Sequence, residues 1–331
     1  MTAFAEPEAQ ESRGTLNRLA VRVARTAAAA DGIVLVELVA PDDSLLPRFE
    51  AGAHVDLHLP GGLIRQYSLL NAPGLGRHYR LGILLDPATR GGSQAAHRLS
   101  QGDMVEISRP RNNFKLIDAP YSLLMAGGIG ITPLLSMAEH LRASSRAFAL
   151  HYFVRTRAKA AFLDRLAAAD LAPHVEVHCD DEPDRGGSAI EATLLATPTG
   201  TELYICGPAG LITAVADAAT RLGWAAERIH IERFSTTLPA AAGGAFRVDL
   251  ARTGGSVVVP SDKTIATTLL DHGIAVELSC EQGICGTCLT RVLGGIPDHR
   301  DQYLTDSERA AGDQMTICCS RALSDSLVLD L

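Results

Sequence analysis

The stretch "SCEQGICGTCLTRVLGG", residues 279–295, places Cys280, Cys285 and Cys288 inside nine residues, and Cys318 follows after a further 29. In a reducing compartment thiols grouped in this way suggest a metal or a cluster more than disulfides or thiols buried by accident. Two irons bridged by two sulfides need four thiolates converging from one side. A tight loop supplies three, a distant part of the chain the fourth, and C-x4-C-x2-C…C is the spacing of plant-type [2Fe–2S] centres. Gly283 and Gly286 let the backbone approach closely and aim N–H groups at sulfur. Zinc is the competing metal. Zinc sites usually pair two short C-x2-C hooks, or a hook with histidines, whereas this chain has one hook, a C-x4-C step and a lone distant cysteine.

A [2Fe–2S] centre passes single electrons, while a nicotinamide delivers a hydride. A flavin accepts two electrons and releases one, which joins the two chemistries. Candidate flavin and nucleotide residues are present. In "RQYSLLN", Arg65 suits a phosphate, Tyr67 a ring face and Ser68 a flavin edge, with Gln66 between them. "RGGSQAAHRL" opens a helix on Gly91, Gly92 and Ser93, where free N–H groups and the helix dipole favour an anion. "MAGGIGITPLLSM" reads as strand, glycine turn and helix, but it is not the G-x-G-x-x-G fingerprint. The eleven histidines show no H-E-x-x-H spacing. "CDDEPDRGG" lacks the EF-hand order and reads as a solvated loop.

These residues must be positioned by regular elements. Residues 15 to about 112 carry short alternating strands, "IVLVELVAP", "HVDLHLP", "IRQYSLL", "YRLGILL" and "MVEIS", which predict an antiparallel β-barrel. From residue 116 strands and helices alternate: "YSLLMAG", "PLLSMAEHLRA", "AFALHYFV", "AAFLDRLAAAD", "HVEVHC", "SAIEATLLA", "ELYICG", "AGLITAVADAATRLG" and "RIHIERF". That rhythm predicts a doubly wound parallel α/β sheet. "STTLPAAAGGA" reads as a linker. "FRVDLARTGGSVVVP" is a hairpin with Gly-Gly at its turn, and "SDKTIATTLLDHG" a helix bounded by Ser/Asp and Gly273. The division expected is 1–114 for the barrel, 115–236 for the α/β sheet, 237–245 for the linker and 246–331 for the cysteine-bearing unit.

Composition narrows the function class. The acidic start "MTAFAEPEAQESRG" has no signal-peptide character, and "YSLLMAGGIGITPLLSM" is broken by glycines and Pro133, so no membrane span is expected and a cytoplasmic location follows. Residues 246–331 carry 12 Asp/Glu against 7 Lys/Arg. That balance argues against nucleic acid and suits docking on a basic protein surface.

Residues 246–331 resemble a plant-type ferredoxin domain, a β-grasp fold, and "ICCSRALSDSLVLDL" resembles the C-termini of the phthalate dioxygenase reductase and vanillate demethylase reductase family. The R-x-Y-S strand with its Gly-Gly-Ser helix start, the "GGIGIT" turn and "YICGP" resemble the flavin and nucleotide domains of the ferredoxin–NADP reductase superfamily, and the resemblance spans residues 15–331. It implies FMN as the flavin, NADH rather than NADPH, and an NADH-dependent oxidoreductase that supplies electrons to a separate Rieske-type oxygenase acting on an aromatic acid. It implies Cys318 as fourth cluster ligand, with Cys319 a buried neighbour. It places Ile83 and Leu84 with Arg65–Ser68, Gly91–Ser93 and Thr132 at the flavin, and Phe234 of "IERF" near its ring. Gly127, Gly128 and Gly130 fall at the pyrophosphate, and Cys206, Gly207 and Pro208 at the nicotinamide. An extra phosphate on the nucleotide would want Arg or Lys after the second strand of the α/β sheet, where "FVRTRAKAAF" offers Arg155, Arg157 and Lys159 or simply a solvated basic loop. The rival readings are a reductase serving a cytochrome P450 and a redox sensor that holds its cluster without turnover.

Overall fold

In the computed structural model the described residues are 18–74, 76–86, 91–181, 188–234 and 243–331. The acidic start, most of "CDDEPDRGG" and positions 237–242 of the expected linker lie outside them. Among the described residues no helix is long and apolar enough to cross a membrane.

The first sheet holds β1 (Arg18–Ala30), β2 (Ile33–Val39), β3 (His54–Leu59), β4 (Leu63–Ser68), β5 (Tyr79–Leu84) and β6 (Met104–Ser108), in the order β4-β3-β6-β1-β2-β5. Neighbours run antiparallel, and a bridge between Leu69 and Leu81 brings the two edge strands together as a barrel. Val21, Val23, Val36, Leu38, Val55, Leu57, Ile83 and Ile107 alternate inward and are wholly buried. The short helix α1 (Gly92–His97) adds Ala95 and Ala96 to that core. Sequence periodicity alone did not single out β1, whose end is "AAAA". Alanine favours helix, but the alanines pair along β2, Ala27 with Leu35, Ala28 with Val34 and Ala30 with Ile33, and that overrides the preference.

The second sheet is parallel: β7 (Tyr121–Gly127), β8 (Ala147–Val154), β9 (Val175–Cys179), β10 (Glu202–Cys206) and β11 (Ile229–Glu232), in the order β11-β10-β7-β8-β9. Helix α2 (Ile131–Ala143) covers one face, and α4 (Ser188–Ala196) and α5 (Ala209–Arg221) the other. Chain order reverses between β7 and β10, which opens a crevice beyond their C-terminal ends. The helix expected over "AAFLDRLAAAD" shrinks to α3 (Leu163–Leu166). Phe162 takes φ 64°, Ala161 N–H donates to Tyr152 Oη at 3.0 Å, and Arg165 is drawn to Glu139 and Asp170. The bond from Ala161 to Tyr152, outside the segment, and the positive φ at Phe162 stop the helix from starting earlier.

The third sheet joins β12 (Phe246–Leu250), β13 (Ser256–Val259), β14 (Leu289–Gly294), β16 (Gln314–Thr316) and β18 (Ser326–Leu329), in the order β13-β12-β18-β14-β16. The β12–β18 pair is parallel and the other pairs are antiparallel, as a β-grasp sheet requires. The small ladder β15 (Pro297–Asp298) with β17 (Arg321–Ala322), and helices α6 (Ile265–Asp271) and α7 (Asp306–Ala311), complete it. Gly254 and Gly255 both take positive φ at the hairpin turn, as the sequence predicts. The cap of α6 is Thr264, whose hydroxyl accepts from Thr267 N–H at 3.0 Å. It is not Ser261 or Asp262: Thr264 is the residue next to the first helical one, within reach of that N–H.

Arg321 is buried at 2% exposure. Its guanidinium donates to the carbonyls of Lys263, Gly244 (3.0 Å) and Pro260 (3.2 Å), and stacks 5.0 Å from the centre of the Phe246 ring. It thus ties the entry of β12 to the turn before α6. Arg321→Met should cost about 2 kcal/mol, because one buried, charged donor to three carbonyls is lost. Urea unfolding checks this, and an unchanged midpoint would contradict the tie.

Candidate functional site

Cys280, Cys285 and Cys288 lie on an irregular loop that leads into β14, and Cys318 lies just after β16. The fold brings all four together. The sulfur of Cys280 hydrogen-bonds those of Cys285 and Cys318, and Cys318 also meets Cys288. The glycines serve close packing here. A Cβ on Gly283 (φ 69°) would stand 2.5 Å from Cys319 Sγ and 2.9 Å from Asp301 Cα, and one on Gly286 (φ 72°) would stand 2.3 Å from the Tyr303 ring. Backbone N–H groups do point at sulfur: Gln282 donates to Cys280 Sγ at 3.3 Å and Thr287 to Cys285 Sγ at 3.5 Å. Cys319 turns under Gly283, with its sulfur 3.2 Å from Thr316 Oγ1.

The nest fits a cationic cluster. Its thiols cannot all ionise unaided. Hydrogen bonds from Cys285 and Cys318 hold Cys280 far below the ordinary thiol range, while the bonds they give to Cys280, with burial, push Cys285 and Cys318 far above it. Bound iron would remove that conflict, since a coordinating thiol is deprotonated outright.

Beside the nest is a cavity of about 440 Å³. Arg65, Gln66, Tyr67 and Ser68 on β4, Leu84 on β5, Ser93 on α1, Thr132 on α2 and Phe234 after β11 line it. So do Cys280, Gln282 and Ile284 of the cysteine loop. Ile83 does not: its side chain is in the barrel core, and its carbonyl oxygen is 3.0 Å from His97 Nε2. Gly91 and Gly92 do not line it directly. Gly92 makes room for the Arg65 side chain, because a Cβ there would stand 2.4 Å from Arg65 Nε.

Several lining residues escaped sequence reasoning. Gly82 interrupts a strand, the signal of a close approach, and a Cβ there would meet the Phe162 ring and Thr132 Cγ2, each at 2.8 Å. His54, Asp86, Ile129, Glu232, Arg233, Gln282 and Ile284 carry no pattern of their own, although Glu232 and Arg233 fall in "IERF". His54 and Gln66 make the case for a polar ligand. Both ring nitrogens of His54 and the Gln66 amide nitrogen are buried without a hydrogen-bond partner, and burial lowers His54 to about 4, leaving it neutral. Orphaned buried polar atoms on a cavity wall are costly unless a bound group satisfies them, so a flat heterocycle with donors and acceptors on its edge fits.

The second half of the site is the crevice at β7 and β10. Gly130 backs onto Cys206, where a Cβ would stand 2.2 Å from the Cys206 carbonyl oxygen, and Gly207 backs onto Gly127 at 2.9 Å. Gly127 itself is crowded by Leu211 and Pro208, while Gly128 takes φ 51° in open space. Pro208 leads into α5, and Thr132 donates to Ile129 O at 3.0 Å. Arg155 is exposed just past β8. Cys206 is buried, and burial pushes its thiol well up. Its sulfur is 4.0 Å from Glu232 Oε2. Glu232 keeps some surface open to the cavity, yet the protein around it pushes its carboxyl up to about 8.

A cysteine nest walling a cavity shared by a barrel and a nucleotide sheet defines a modular electron-transferring oxidoreductase. Residues 248–323 match the 2Fe-2S iron-sulfur cluster binding domain. The chain is 52% identical over 305 residues to the vanillate O-demethylase oxidoreductase of Pseudomonas sp. (strain HR199 / DSM 7063), covering 91% of this chain and 96% of that one. It is similar to the structure of phthalate dioxygenase reductase, with TM-score 0.76 and 37% identity over 95% of this chain and 98% of the other. It is also similar to 41% of an intact type IV self-sufficient cytochrome P450 monooxygenase, with TM-score 0.79, 38% identity and 95% of this chain covered. The chain belongs to the family of vanillate O-demethylase and phthalate dioxygenase reductases.

Glu232 gives the site a pH signature. An unfolded glutamate ionises near 4.5, whereas the folded one keeps its proton to about 8. The folded state binds the extra proton across that interval, so its contribution to stability falls as pH rises through it. In the flavin-free chain, the melting temperature of the wild type should drop relative to Glu232→Gln between about pH 4.5 and 8. Parallel curves would contradict the raised carboxyl of this acid.

Proposed function

We propose that this chain is the NADH-dependent reductase of an oxygenase system. In this reading electrons pass from NADH through FMN and a [2Fe–2S] cluster to a separate Rieske-type non-haem iron oxygenase in the cytoplasm, one that acts on an aromatic acid by dioxygenation or O-demethylation. The observation that carries it is the shared wall: Cys280, Gln282 and Ile284 line the same cavity as Arg65, Gln66, Tyr67 and Thr132. Whatever fills that cavity touches a cluster ligand. The proposed division assigns 1–114 to the flavin, 115–236 to the nucleotide, 237–245 to a linker and 246–331 to the cluster. When bound, these cofactors would supply hydride donation, two-to-one electron conversion and single-electron exit.

The chain's own residues bind and orient. Arg65 offers the phosphate a positive charge, with the Ser93 hydroxyl beside it on the cavity wall. Tyr67 presents a ring, and burial raises its hydroxyl to about 12, so it stays neutral. His54 and Gln66 supply donors and acceptors to a ring edge. Leu84, Ile129, Ile284 and Phe234 exclude water. The glycines at 127, 130 and 207 let the turns after β7 and β10 pack back to back, which leaves the space beyond them to the nucleotide's pyrophosphate and nicotinamide, and Arg155 stands toward its far end. Glu232 holds a proton on its carboxyl beside Cys206 up to about pH 8. The acidic surplus of residues 246–331 favours encounter with a basic partner face.

NADH added without oxygen should bleach the flavin absorbance first and the cluster's visible bands second. Cys318→Ser should stop delivery to a one-electron protein acceptor while flavin bleaching persists, and Cys319→Ser should leave delivery intact. Normal delivery by Cys318→Ser, or absence of acid-labile sulfide in the purified chain, would refute the relay.

A further inference from the structure

One ion pair joins the barrel to the cysteine loop. Arg65 Nη1 is 3.4 Å from Glu281 Oε1 and also donates to Ile64 O at 2.7 Å. Both side chains are partly buried, at 16% and 35% exposure, so solvent screens them only in part. Neither is placed by accident. Gly92 lets the Arg65 side chain lie against the start of α1. Glu281 takes φ 54°, the left-handed region that L residues other than glycine rarely adopt. Backbone strain of this kind persists only where the surroundings over-determine it. They do so here: Ser279 Oγ donates to Asp56 Oδ1 at 2.8 Å, Asp56 accepts from Arg111 at 2.6 Å, and Cys280 and Gln282 on either side of Glu281 face the cavity.

A phosphate at Arg65 would therefore find a carboxylate of its own chain already on that guanidinium. We propose that Glu281 is a specificity-determining residue that links docking of the cluster-bearing unit to binding of the flavin phosphate. Its carboxylate neutralises part of Arg65's charge and lowers the affinity for the phosphate. By linkage, a phosphate-bearing flavin loosens the pair and the loop that carries it, whereas a flavin lacking phosphate does not. This rests on the reading of the cavity as the flavin site with Arg65 as its phosphate cation.

The test titrates FMN and riboflavin, by flavin fluorescence, into the full chain stripped of flavin but retaining its cluster. Wild type, Glu281→Gln and Glu281→Ala are compared, each also in an Arg65→Met background. Retained visible cluster bands report an intact loop. Both Glu281 variants should bind FMN about 3-fold tighter or more at low salt, with riboflavin unchanged. The gain should vanish in the Arg65→Met background. Unchanged or weaker FMN binding, an equal shift for riboflavin, or a gain that survives Arg65→Met overturns the linkage. Failure of the wild type to bind either flavin overturns the flavin reading and this inference with it.

Discussion

The buried carboxylate of Asp56 is the point on which the arrangement turns. It sits on β3 at 5% exposure, and its oxygens accept from Arg111 of the barrel and from Ser279 at the head of the cysteine loop. Its own N–H donates to Ser108 Oγ at 2.9 Å. A buried charge is tolerated only when paired and hydrogen-bonded, so Asp56 requires both partners at once. Meeting that requirement fixes the loop against the barrel rim and puts Cys280 in the cavity wall. Electron transfer falls steeply with distance, and this contact holds the cysteine loop at the cavity.

The other half of the site is built by removing atoms. At the switch point of the parallel sheet, the turns after β7 and β10 lie back to back, and Gly127, Gly130 and Gly207 are the residues that allow it. Strand ends packed this closely leave the space outside them for a ligand. Around the cavity beside the cysteine loop the protein keeps groups that are poor company in a dry interior: neutral His54, a Gln66 amide without a partner, and a glutamic acid that stays protonated to about pH 8. Folding alone gains nothing from them. They become economical when a polar heterocycle fills the cavity.

Much of this was legible in the residues. The strand alternation and the βα rhythm placed nearly every element of the first two sheets, because side-chain burial has a fixed period in each. The exceptions are instructive. β1 ends in four alanines, and that end is a strand because β2 pairs along it. "AAFLDRLAAAD" has helical periodicity, but only four of its residues form α3, because Phe162 and Ala161 are held by contacts from outside the segment. At the site, the R-x-Y-S strand and the cysteine loop, both singled out by their residue types, fall on one cavity wall, while His54, Asp86 and Ile284 on the same wall gave no local sign.

By itself the sequence determined the ligand chemistry, since three thiols and two glycines at fixed spacing are a property of one short loop. It also determined the order of the three units along the chain. Only the tertiary structure decided that the loop closes the cavity of a barrel more than 200 residues away, through Arg65 with Glu281 (216 apart) and Asp56 with Ser279 (223 apart). The physical reason is that periodicity and spacing record what a residue's near neighbours require. A contact across such a separation is set by how whole sheets pack, and it leaves no trace in the pattern of either segment.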